Sequence, residues 1–326
     1  MPKGRLCRIW QYRGVNMDQD SQTSSRNRFI ADRKIFLSVV LFFLLIIGFV
    51  VYVNDFSRRV TNAEDLRTKK GRFYKKSENE PYTGVVEVRY ENGSAKERAH
   101  IKEGLQDGDM QAWYENGKPK EKGAYLKGKR NGLFIRWYPN GVKSFEGKYR
   151  MGKKDGVVRE WYENGKKKSQ QHYKSDMLDG LSTKWYANGN KAFEAIYRNG
   201  VYNGTVARWY ENGVKKSKVR FQDNVKEGVE LYFFKNGQMA MASNFKAGKL
   251  EGMKLEWFAN GQKKHEHWYE EGKQSGLETV WYPNGQKKHE AAFENGKREG
   301  SAKYWREDGT FVGAVWYDNG EVVDGK

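Results

Sequence analysis

Five residues, Trp161-Tyr162-Glu163-Asn164-Gly165 or close variants of them, return ten times along this chain at a fixed step of 24 residues. The closing glycines are Gly93, Gly117, Gly141, Gly165, Gly189, Gly213, Gly237, Gly261, Gly285 and Gly309, and no insertion breaks the column. A second glycine column keeps the same step from Gly84 and Gly108 to Gly300. Self-similarity at this period implies a repeat architecture, in which a unit that cannot bury its own apolar surface stacks on its neighbours. Function in such a chain is carried by an extended surface rather than a cleft.

Each unit reads as a hairpin. In residues 179–200, a strand of about seven residues ending at Trp185 meets Asn188-Gly189, and a second strand of about eight runs on to Gly200. Asn-Gly between runs rich in aromatic and β-branched residues predicts a two-residue type I′ turn. The second glycine column, usually preceded by Asp, Asn or Glu, is expected to turn the chain into the next hairpin. Helix is excluded, because each interior glycine would cost about 1 kcal/mol. Alternation along the strand puts Leu181, Thr183 and Trp185 on one face and Ala195 with Tyr197 on the other. The expected fold is all-β, an elongated array of about ten stacked 24-residue hairpins preceded by one transmembrane helix. Its length would be roughly 95 Å at about 4.8 Å per strand.

The transmembrane expectation comes from 35–53, nineteen uncharged residues that would span roughly 28 Å as a helix. A long preceding tail and the absence of small residues at 51–54 disfavour a cleaved signal peptide. The domain reading is therefore a basic, disordered tail at 1–34, a membrane helix at 35–53, a polar linker at 54–80 and the repeat domain at 81–326. A helical turn around 62–68, with Asn62 as its cap, is expected within the linker. Basic residues on both sides of the span nearly balance, and the short tail favours a single-pass protein with its repeats on the extracytoplasmic side.

The chain has 60 Lys and Arg against 41 Asp and Glu, a net charge of +19. Sixteen basic and eight acidic residues lie in the first 80, so the array carries +11 with both signs mixed. Such a surface attracts anionic partners mildly and lacks the concentrated patch of a dedicated nucleic-acid binder. Cys7 is the only cysteine, which excludes an internal disulfide and any cysteine-based metal site.

Units such as Trp161-Tyr162-Glu163-Asn164-Gly165-Lys166-Lys167-Lys168-Ser169 and Trp281-Tyr282-Pro283-Asn284-Gly285-Gln286-Lys287-Lys288 resemble the bacterial variant of the MORN repeat, found in a family of antitoxins of toxin/antitoxin systems. The resemblance covers roughly 81–326. It implies a β-hairpin array used for protein or lipid contact, with no cofactor and no catalytic machinery. An anchored, outward-facing array departs from a cytoplasmic antitoxin.

The remaining motifs sort by their chemistry. Gly147-Lys148-Tyr149-Arg150-Met151-Gly152-Lys153-Lys154 imitates a phosphate loop but lacks the final Ser or Thr and a βαβ setting. His265 and His289 lie one repeat apart and would be neighbours on adjacent hairpins; they read as solvated strand residues, with a weak metal or pH-sensitive pair as the alternative. No metal site is expected, and no nucleophile stands beside a base. Lysines recur two positions after the turn glycine, at Lys143, Lys167, Lys191, Lys215, Lys263 and Lys287, and again one position later. Stacking would align them into a basic stripe beside Trp137, Trp161, Trp185 and Trp209, a surface suited to an anionic partner. The same lysines also serve simply to keep strands soluble and unaggregated. The function expected is that of a non-enzymatic, membrane-anchored scaffold for a protein or anionic cell-envelope partner. The alternatives are neutralisation of a partner toxin and electrostatic binding of phospholipid or nucleic acid.

Overall fold

The structure, a computed structural model, describes residues 60–323 together with Phe42. The repeats form one 25-stranded sheet in which consecutive strands pair as antiparallel neighbours. A typical repeat is the strand Met177–Trp185 followed by Lys191–Arg198. Ahead of the repeats, the three-residue 3-10 turn Ala63–Asp65 leads into a small separate hairpin, Leu66–Lys69 with Arg72–Lys75. Asn62 holds the cap position of that turn without a capping hydrogen bond from its side chain. Phe73 N donates to Gly104 O and Gly104 N to Tyr82 O, which ties this hairpin to the first repeat.

The expectation of a transmembrane helix before the array is corrected. Among the described residues no helix is long and apolar enough to cross a membrane, whereas a spanning helix needs about 20 apolar residues. The stretch 35–53 lies, apart from Phe42, outside the described residues. The single-pass localisation, with repeats on the extracytoplasmic side, rested on that helix and falls with it.

The two turns of each repeat are exchanged relative to the sequence expectation. At Tyr162-Glu163-Asn164-Gly165-Lys166, Gly165 N donates to Tyr162 O and Tyr162 N to Lys166 O, both at 2.9 Å. Only the glycine has positive φ, +81°. This is a three-residue loop, a type I turn closed by a glycine bulge. Asn164 keeps ordinary φ because its side chain is occupied: Oδ1 accepts from Lys166 N at 3.0 Å, and Nδ2 donates to Ala187 O of the next repeat at 2.9 Å. The two-residue turn with both residues left-handed stands at the other end of the hairpin, as at Asn199 and Gly200 (φ 50° and 84°). There Gly200 N donates to Leu178 O, one repeat back.

The second glycine column lies inside strands, not at turns. Gly204 sits within Val201–Trp209, where the pairing with Lys191–Arg198 shifts between Ala195 and Tyr197. Three residues there oppose one, which is a bulge. Gly204 has φ +135°, and a Cβ on it would meet Ile196 Cβ at 3.0 Å. Glycine is therefore required by the bend of the strand.

Two ladders bind each hairpin to the next. Tyr162 Oη donates to Trp185 O at 2.7 Å, and the same step of 23 residues links Tyr114 to Trp137, Tyr138 to Trp161 and Tyr186 to Trp209. The asparagine amides make a parallel ladder, from Asn140 to Glu163 O, Asn188 to Glu211 O and Asn260 to Pro283 O. Core packing is local. Phe134 is fully buried between Tyr125 and Tyr149, edge-on at 5.4 and 5.3 Å. A Cβ on Gly123 would lie 2.4 Å from the Phe134 ring. A second cluster comprises Ala195, Val206 and Val219 with Phe193, Tyr197, Tyr202 and Phe221 around it.

Candidate functional site

Cross-strand register divides the array into two faces of different chemistry. On one, a central row runs through Val158, Gln171, Ser182, Ala195, Val206 and Val219. On the other, the central row runs through Glu146, Arg159, Gln170, Thr183, Glu194, Ala207 and Lys218. The tryptophans share this second face.

The lysines singled out from the sequence stand against tryptophans of the following repeat. Lys143 Nζ lies 5.4 Å from the Trp161 ring centroid, Lys167 5.8 Å from Trp185 and Lys191 5.0 Å from Trp209. Lys263 and Lys287 stand likewise over Trp281 and Trp305. Lys215 has Phe233 at the matching place, and Trp137 has Pro119 where a lysine would be. The four tryptophans are half-buried strand ends. The neighbouring lysine column sits over the tyrosines, as in Lys120 over Tyr114 and Lys168 over Tyr162.

The stripe is not uniformly positive. Lys143 pairs with Glu146 at 2.7 Å, Lys191 with Glu194 at 2.7 Å, Lys263 with Glu266 at 2.8 Å and Lys287 with Glu290 at 2.6 Å. A hydrogen bond from Lys143, opposed by burial and aided by the Lys143 and Arg159 charges, holds the Glu146 carboxyl below its ordinary value. At Lys167 and Lys215 the acidic partner is replaced by Gln170 and Lys218. Within this lysine column the charge is thus least neutralised at Lys167 and Lys215.

Beside the charged row stand apolar pairs separated by the polar Thr205, Arg220 and Asn244. Leu181 pairs with Ile196 and Met253 with Trp268 across strands. All four are exposed, as are Val229 and Leu277, the last two by more than half (57% and 53%).

The opposite face changes character after residue 228. Its central row continues as Glu230 and Ser243, then Lys254 and His267, then Glu278 and Ala291. Glu230 is buried and bonded to Lys226 Nζ at 2.7 Å. Glu278 gathers three imidazoles: His265 Nε2 at 3.0 Å and His267 Nδ1 at 3.1 Å on one oxygen, His289 Nε2 at 3.1 Å on the other. Burial works to raise the Glu278 pKa, but the hydrogen bonds from His265 and His289 hold it well below the carboxylate range. Burial, then the neighbouring His265, pushes the His267 pKa down to about 4, so its ring is neutral at neutral pH. Ring nitrogens of His265 and His267 and an oxygen of Glu278 lie within 4.8 Å of one another, a set able to hold a metal ion.

His265 and His289 are neighbours, as their spacing implied, but they are not simply solvated, because Glu278 between them engages both. The sequence reading missed His267 and Glu278, since adjacent-strand register brings them in. The available signal was chemical: up to residue 219 both columns are mainly small or apolar, at Ala195 and Val219 for His267 and at Val158, Ser182 and Val206 for Glu278.

Five segments of the array, residues 106–127, 154–175, 178–199, 226–247 and 274–297, match the family model of the MORN repeat variant. That match names the repeat and carries neither a bacterial origin nor an antitoxin role. A comparison with curated proteins found no match. Among solved structures, the crystal structure of TcdB2-TccC3 aligns over 68% of this chain at 9% identity, with a TM-score of 0.19. That of TcdB2-TccC3-Cdc42 aligns over 77% at 8% identity, also with a TM-score of 0.19. This chain spans 14% and 16% of those chains, and a likeness of that degree carries no argument here.

Proposed function

We propose that the array is a scaffold that docks a protein partner along its tryptophan face, rather than an enzyme. The repeat match supports a binding or scaffolding role in general terms. One observation carries the finer reading: exposed apolar pairs, Leu181 with Ile196 and Met253 with Trp268, and the exposed Val229 and Leu277 stand in a row beside the lysine-tryptophan ladder, interrupted by Thr205, Arg220 and Asn244. Exposed apolar patches set among polar groups mark protein contact sites. Lys167, Lys215 and Lys218, lacking the acidic neighbours of the other repeats, favour an acidic segment on the partner.

The reading is tested with a photo-crosslinking residue placed at 181 or 268 of the full chain, and at Lys184 on the opposite face as control. One and the same protein is expected to crosslink from the first two positions and not from the third. The double variant V229E/L277E, with its β-sheet circular dichroism intact, is expected to lower capture at least tenfold. Equal capture by that variant, or equal crosslinking from 184, overturns the proposal.

A further inference from the structure

The His-Glu cluster on the opposite face stands apart from the docking stripe, and its donors call for a ligand of their own. His265 and His267 project from one strand, Lys263–Glu270; Glu278 comes from the next, Lys273–Trp281; His289 comes from the one after, Lys287–Glu294. Three consecutive strands, with no loop among them, therefore fix the group. The His265 and His267 ring centroids are only 3.4 Å apart.

The hydrogen bonds within the cluster leave one nitrogen unaccounted for. His267 is 5% exposed. Its Nδ1 lies 3.1 Å from Glu278 and 2.8 Å from Gln274 Nε2. Its Nε2 is buried with no hydrogen-bond partner. An orphaned ring nitrogen in an interior row is costly, and it is a lone-pair donor or an N–H that the chain itself does not satisfy. The nearby positive charge is already engaged, with Lys254 Nζ 2.7 Å from Glu256 Oε1 and Lys264 Nζ 4.0 Å from Glu256 Oε2.

We propose that His265, His267 and Glu278, with His289 bracing the second carboxylate oxygen, bind one divalent transition-metal cation of the zinc class. Imidazole nitrogens joined to one carboxylate suit zinc and its neighbours, whereas magnesium and calcium require oxygen donors. Zinc bonds of about 2.0–2.1 Å place tetrahedral ligand atoms about 3.4 Å apart, within the spread seen here. With Nε2 of His267 on the metal, its Nδ1–H would donate to Gln274 Oε1 once that amide is turned over, and His289 donates to Glu278, the outer hydrogen bonds that orient metal-bound groups. A fourth ligand position is left to water or to an arriving side chain. The site is independent of the tryptophan face and does not require the docking reading.

The test uses the untagged full chain, stripped with a chelator and titrated with Co2+ alone while its visible spectrum is recorded, followed by competition with Zn2+. The expected result is one equivalent of Co2+, with intense four- or five-coordinate bands that Zn2+ abolishes. In H267Q the affinity is expected to fall at least tenfold, and in H289Q by about 10- to 100-fold, while H172Q behaves as the parent. Should H267Q fail to fold, H265Q at the less buried ligand carries the same expectation. Absence of those bands in the parent chain, leaving a hydrogen-bonded polar network only, overturns the proposal. Equal spectra in the parent, H265Q and H267Q overturn it as well.

Discussion

Two stretches of this array share one backbone and differ in what they bury. From Phe134 to Val219 the row opposite the tryptophan face is mainly apolar, with Phe134, Val158, Ala195 and Val206 almost fully covered. From Glu230 to Glu278 the same positions hold Glu230, Ser243, Lys254, His267 and Glu278, three of the four ionisable side chains among them being buried. The tyrosine ladder is also incomplete in the second stretch, where Phe234 and Phe258 stand in place of tyrosine. Hydrogen-bonded repeats thus tolerate an exchange of interior chemistry, with Glu230 paired to Lys226 four residues back and Glu278 to the imidazoles of the strands on either side. The earlier stretch is built for stability, and the later one gives up some of it for a polar interior.

The contrast is broken most severely by emptying the apolar stretch. Phe134→Ala removes a ring that Tyr125 and Tyr149 enclose, and urea denaturation should show a loss of about 3–5 kcal/mol. Gly123→Ala should cost about 1–3 kcal/mol by pressing a methyl into that ring.

Exchanging the chemistries comes next. Val206→Glu buries a carboxylate without a cation and should lose about 3 kcal/mol or more, whereas replacing the whole Glu230–Lys226 pair, as E230V/K226M, should be neutral or stabilising. Equal losses from the two variants would show that the stretches are not distinct.

Repairing the ladder sharpens the contrast further. Tyr162→Phe leaves Trp185 O without its hydroxyl and should cost about 1 kcal/mol, and Phe258→Tyr should return a similar amount at Trp281 O. Thermal unfolding of both single variants checks the pair.

The smallest effect concerns acid. Because Glu146 titrates below its unfolded value, it binds fewer protons folded than unfolded. Its contribution is present in full above the unfolded carboxylate range and is lost as pH falls through the folded pKa. The pair with Lys143 is partly exposed, so the loss should be below about 1 kcal/mol. Comparing the parent and E146Q between neutral and acidic pH isolates it.

Much of the fold was legible because a 24-residue period forces equivalent residues into columns. The hairpins, the aromatic columns and the alignment of Lys143, Lys167 and Lys191 beside tryptophans all follow from spacing. The turns were not legible, since Asn-Gly suits both a two-residue turn and a bulged three-residue loop. The amide of Asn164, engaged one repeat ahead, decides between them. Gly204 and its column looked like turn residues because a bulge and a turn both demand left-handed backbone. The His-Glu cluster was half visible: the period places His265 near His289, but finding Glu278 between them requires the strand register. The helix expected at 35–53 rested on hydropathy alone, and the described residues contain none to match it.

The tyrosine and asparagine rungs all point the same way. At every rung the earlier hairpin gives the proton and the later one receives it. Such stacking has a vector: damage at Tyr162 or Asn164 unseats the carbonyls of the hairpin downstream, while the one upstream keeps every bond it offered. Amide exchange after a single ladder substitution should therefore quicken on the carboxyl-terminal side of the lesion first, as a zip opens from one end.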